Sequence, residues 1–168
     1  MKATLKLEDG REIAVDVSEE SLKQIEKPAK KTGYEWVEDN ERHYLVGGDG
    51  EIYEYLIHNT YDMDAYDRGN YYSNRTVAEH NARGDTLKQK VRRFAVEHRI
   101  KELDWDNSLQ DKFFIVYDYL QKRLEYCITD DQRNFGTIYF DSEEVTQAAI
   151  EKFKDELIWY FTEYKDSL

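Results

Sequence analysis

A chain of 168 residues is long enough for one domain with a small appendage, and its formal net charge of −12 speaks against affinity gained by neutralising phosphates. A charged fraction of 36% against 40% hydrophobic would suit disorder, but 14 Tyr, 7 Phe and 3 Trp supply the apolar area of a folded, aromatic core. The single cysteine excludes an intramolecular disulfide framework, and no apolar run approaches the roughly 18 residues of a membrane span. The polar start MKATLKLEDG lacks a signal-peptide pattern, so a cytoplasmic protein that does not enter membranes is expected.

Residues 1–27 read as a ββα module. Leu5 and Leu7 alternate with lysines, Ile13, Val15 and Val17 alternate with polar residues, and Asp9-Gly10 between them suits a tight turn. Ser18 is placed to cap a short helix ending before Pro28, and residues 28–33 read as a linker.

From residue 34 the pattern predicts two β-β-β-α units, 34–101 and 102–168, and therefore an α+β fold with antiparallel sheet and covering helices. In the first unit the strands are YEWVED, RHYLV and EIYEYLI, the last two joined across Gly47-Gly48-Asp49-Gly50. HNTYDMDAYDR reads as a polar loop, GNYYS as a further strand, and Ser73 as the cap of a helix reaching about Ile100. Gly84 inside that helix predicts a kink. In the second unit DKFFIVYDY and KRLEYCI predict a hairpin that buries Cys127, and GTIYF the third strand. A carboxylate capping box of Asp141 with Glu144 then opens a helix whose stripe runs from Val145 to Tyr164. Tyr71-Tyr72 and Tyr139-Phe140, Ser73 and Asp141, and Val77 and Val145 all stand 68 positions apart, which reads as an internal repeat.

Tyrosines interleaved with acids around residues 51–67 form the candidate contact site. Tyr supplies rigid contact area and carboxylates supply steering, which selects Glu51, Glu54, Tyr61, Asp62, Asp64, Tyr66 and Asp67 for binding a partner. The acids do not make a calcium loop, because counted from Asp62 the glycine position holds Asp67 and the final Glu position holds Ser73. Residues 83–101 break the acidic pattern with seven basic against two acidic side chains. Lys88, Arg92, Arg93 and Arg99 are therefore an alternative basic surface, for a second copy of the chain or, less readily, for nucleic acid. The four histidines lie far apart, and no P-loop, GxSxG, HExxH or GxGxxG is present. No enzyme activity, metal or cofactor is expected.

KATLKLEDGREI, GNYYS and GTIYFDSEEVTQAAIEKF together resemble small acidic accessory proteins encoded by phages and prophages of Gram-positive bacteria. That family carries no established activity, so the resemblance transfers no functional residue. It implies a setting: binding to a host defence protein, in the manner of anti-CRISPR proteins that occupy the nucleic-acid groove of a CRISPR effector nuclease. The expected localisation is then the bacterial host's cytoplasm. The alternatives are a self-associating structural or assembly protein, as a homodimer, and a nucleic-acid binder through the 83–101 helix.

Overall fold

The computed structural model describes residues 2–6, 12–16 and 31–167, the first two segments as backbone. The chain divides into two compact units, Met1–Lys31 and Thr32–Leu168. In the first, β1 (Lys2–Lys6) and β2 (Glu12–Asp16) pair antiparallel, with Lys2 opposite Asp16 and Lys6 opposite Glu12. The turn expected at Asp9-Gly10 and the helix expected after Ser18 lie outside the described residues.

The second unit is α+β. In order it contains β3 (His43–Val46), β4 (Ile52–Tyr55), α1 (Thr60–Asp67), α2 (Arg75–Glu97), β5 (Lys112–Asp118), β6 (Arg123–Thr129), β7 (Tyr139–Phe140), α3 (Glu143–Lys152) and α4 (Lys154–Thr162). Strands β3 and β4 form one antiparallel hairpin, and β6-β5-β7 form a three-stranded antiparallel sheet. Among the described residues no helix is long and apolar enough to cross a membrane.

Residues 68 or 69 apart occupy like places. Tyr44 of β3 bridges Tyr72, as Phe113 of β5 pairs with Phe140. Asn74 accepts the Val77 N–H at 3.1 Å to cap α2, and Ser142 accepts the Val145 N–H at 3.3 Å to cap α3. Trp36 stacks on Tyr71 at 4.9 Å, while Trp105 meets Tyr139 edge-on at 4.8 Å. The largest core cluster nevertheless crosses the boundary expected at residues 101 and 102. The C-terminal part of α2, from Leu87 to Ala95, packs with Phe113, Phe140, Val145, Ala149 and Leu157. Its first turn, Val77 and Ala78, packs instead on Tyr44 and Tyr72.

Several local expectations are corrected. YEWVED forms no strand, and GNYYS contributes a single bridge at Tyr72. The polar loop HNTYDMDAYDR contains helix α1, because Asn59 and Asp62 close a capping box and Ala65 is buried. Helix α2 runs unbroken through Gly84, whose missing Cβ makes room for Tyr164: a methyl there would stand 3.1 Å from the Tyr164 ring. The break falls in the C-terminal helix, where Phe153 leaves helical geometry at φ −111° and packs edge-on against Phe94. The caps are Asn74 and Ser142 rather than Ser73 and Asp141. Asp141 is fully buried and accepts the Ile100 and Lys101 N–H groups at 2.6 and 2.7 Å, tying the incoming chain to the start of α3. Cys127 is exposed, since it lies opposite Phe114, on the face of β6 away from the core side chains Leu124 and Tyr126.

Candidate binding surface around Trp36

The β3–β4 hairpin is covered on both faces, and strand alternation sorts its side chains. Tyr44, Val46 and Ile52 face α2 with Tyr72 and Val77. Leu45 faces the other way, with Ala65 of α1, Tyr71 and Val37. His43, Tyr53 and Tyr55 belong to that same face, because His43 stands opposite Tyr55 and Leu45 opposite Tyr53.

On that face four flat rings lie nearly parallel. Trp36 stacks on His58 at 4.3 Å and on Tyr71 at 4.9 Å, while His43 stacks on His58 at 4.5 Å and on Tyr71 at 5.0 Å. Tyr66 closes the group edge-on to Trp36 at 5.4 Å. A hydrogen-bond chain fixes the stack. His58 Nδ1 lies 2.9 Å from Asp39 Oδ1, and its Nε2 lies 2.9 Å from the Tyr71 hydroxyl. A carboxylate only accepts, so in the neutral ring the proton sits on Nδ1 and Nε2 accepts from Tyr71. The Tyr71 oxygen then accepts the Val37 N–H at 3.3 Å. His58 holds Asp39 below the usual carboxylate range, and burial raises the Tyr71 phenol. Both nitrogens of His58 are thus taken up within the protein, and the arrangement orients the 34–41 loop.

His43 and Asp62 lie beneath, both with no exposed surface. His43 Nε2 is 3.5 Å from Asp62 Oδ1, and neither His43 nitrogen makes a hydrogen bond among the described residues. The other Asp62 oxygen accepts the Asn59 N–H at 2.7 Å and so caps α1. Asp62 was expected on the contact surface; it is a core residue instead, turned inward with Ala65 by the helical period.

The remaining expected residues separate into three places. Tyr61, Asp64, Tyr66 and Asp67 are exposed on α1, and Tyr66 touches Trp36. Glu54 lies on the opposite face of the hairpin, paired with Arg42 at 3.2 Å. It does not join the α1 acids. Glu51 is exposed at the hairpin turn. Leu56, Ile57 and Met63 are also exposed, and Asp39 holds His58 beside Trp36. Trp36, Asp39, His43, His58 and Tyr71 were missed by sequence reasoning. The signal available was the repeat itself, since Trp36 corresponds to Trp105 and His43 to Lys112. Lys112 is equally buried and donates to the Asn107 and Asp130 carbonyls at 2.9 and 2.7 Å.

The basic helix is partly neutralised by its own chain. Arg83 forks onto Glu156 at 2.9 and 3.0 Å and lies 3.8 Å from the Trp159 ring centre. Lys88 reaches Asp85 at 3.3 Å and Arg99 reaches Glu102 at 3.1 Å. Arg92 and Arg93 make no ion pair among the described residues. Also among the described residues, no three His, Cys, Asp or Glu side chains gather as a metal-binding group.

No protein-family model, no curated protein and no solved structure matches this chain.

Proposed function

We propose that this protein acts without catalysis, by stoichiometric binding, and that its contact surface is the exposed side of α1 with the Trp36 loop. The observation that carries the reading is the pairing of exposed aromatics with unburied acids over a rigid base. Trp36, Tyr61 and Tyr66 stand exposed beside Asp39, Asp64 and Asp67, above the stacked His43, His58 and Tyr71. Aromatic side chains held by packing lose little freedom on binding, and carboxylates around them select a positively charged partner.

The partner chemistry that fits is a basic groove that otherwise holds a nucleic-acid backbone. Such grooves belong to nucleases, and the resemblance to phage and prophage accessory proteins directs the proposal to a host defence nuclease of the CRISPR effector type. The test is a titration of the protein into guide-loaded CRISPR nucleases of Gram-positive bacteria while target DNA cleavage is followed. One nuclease of the panel is expected to lose cleavage at about one equivalent. The exposed double substitution Asp64→Lys with Asp67→Lys is expected to raise the required amount at least ~10-fold, since reversing rim charges weakens encounter and register. Cleavage by every nuclease at a large excess of protein contradicts the nuclease reading.

A further inference from the structure

Strand β7 pairs with β5 only at Phe113 and Phe114, although β5 continues to Asp118. Beyond that point residues 135–138 and the free edge of β5 border, with α2 and α4, a half-open cavity of about 570 Å³. Its floor is apolar: Leu87, Val91 and Leu157 line it and belong to the main core. Phe135 stands fully exposed at its mouth, followed by Gly136 in the left-handed region at φ +77°. Volumes between about 300 and 1,000 Å³ with mostly apolar walls are those of small-molecule sites.

The charge of the lining decides the kind of ligand. The chain holds 36 acidic against 24 basic side chains, yet the residues lining this cavity include Lys88 and Arg92 and not one carboxylate. Lys88 lies 3.3 Å from Asp85, which stands outside the lining, and 5.4 Å from the Tyr160 ring centre. Arg92 donates only to the neutral Gln89 amide at 3.3 Å among the described residues. Its guanidinium therefore keeps its capacity for a two-pronged bond to a carboxylate.

We propose that this cavity binds an elongated apolar carboxylate of the fatty-acid type. The chain lies along Leu87, Val91 and Leu157, the carboxylate meets Arg92 with Lys88 beside it, and Phe135 covers the opening. This site is separate from the Trp36 surface and stands or falls independently of the proposed function.

The experiment is calorimetric and NMR titration of the intact protein with dodecanoate below its micellar concentration, with dodecanol and dodecyltrimethylammonium as controls. One equivalent of dodecanoate is expected to bind, moving the amide signals of residues 87–92 and 135–138. Dodecanol is expected to bind at least ~10-fold more weakly, because it lacks the charge that Arg92 recognises. Arg92→Glu, at an exposed position, is expected to weaken dodecanoate to the level of dodecanol while leaving the thermal midpoint in place. Absence of saturable dodecanoate binding, equal binding of acid and alcohol, tighter binding of the cation, or signal changes confined to other residues would each overturn the proposal.

Discussion

Glu35 accepts four hydrogen bonds from three residues: the Thr32 and Gly33 N–H groups and the Thr32 and Ser73 hydroxyls. The Thr32 N–H is the largest cause that brings its pKa from 4.5 down to about 2, with the Ser73 hydroxyl next. The folded-state value lies below the unfolded one, so this carboxylate adds stability that is fully present above about pH 4.5 and lost as the pH falls toward 2. Urea midpoints measured from pH 6 down to pH 2.5 are expected to fall, and to fall less steeply in Glu35→Gln. An identical slope in that variant would remove Glu35 from the account. Asp62 marks the limit of composition at the same scale. It is one of three acids within six positions that sequence reasoning treats alike, yet it is the one turned into the core beside His43. Only the register of α1 separates it from Asp64 and Asp67.

Helices α1 and α2 show which parts of the fold were legible. The hairpins, the α+β class and the heavily apolar β5 follow from alternation and run length, and both Asn74 and Ser142 sit where an offset of 68 would place equivalent caps. Helix α1 escaped notice because its few apolar side chains point outward: Tyr61, Met63 and Tyr66 are exposed, and Ala65 is its only buried apolar residue. The spans from Tyr44 to Tyr72 and from Phe113 to Phe140 differ by one residue, but the first uses four-residue strands and the second seven-residue strands. The shorter hairpin leaves the residues from which α1 is made. That trade turns a repeated scaffold into one half with a covering helix and one without. The kink expected at Gly84 does not form, and the glycine is a contact point instead, as its neighbours Tyr160 and Tyr164 show. Gly84→Ala gains about 1 kcal/mol of helix propensity but must move the Tyr164 ring. Denaturation of Gly84→Ala, Tyr164→Ala and the double variant tests this. The alanine at 84 is expected to stabilise by about 1 kcal/mol when Tyr164 is absent and by distinctly less when it is present. Equal effects in the two backgrounds would mean that the glycine is not there for Tyr164.

At the scale of the whole molecule, the net charge of −12 sets long-range attraction to basic partners, and the arrangement of side chains decides which acids can act on it. Glu54 is paired with Arg42 on the far side of the hairpin, Glu156 is held by Arg83, and Asp141 is buried over backbone amides. Asp64 lies 3.9 Å from Arg68 across one exposed helical turn, and it and Asp67 stand exposed on α1 with Tyr61 and Tyr66. The most direct test of this account is competition for one groove. The guide-loaded nuclease that responds in the panel titration is mixed with labelled target DNA, and DNA release is followed by fluorescence anisotropy as the protein is added at two salt concentrations. Mutually exclusive binding is expected, with release of DNA at about one equivalent at low salt, weakened by added salt and by Asp64→Lys with Asp67→Lys. DNA and protein bound together on the same nuclease, or release unaffected by that charge reversal, would contradict it.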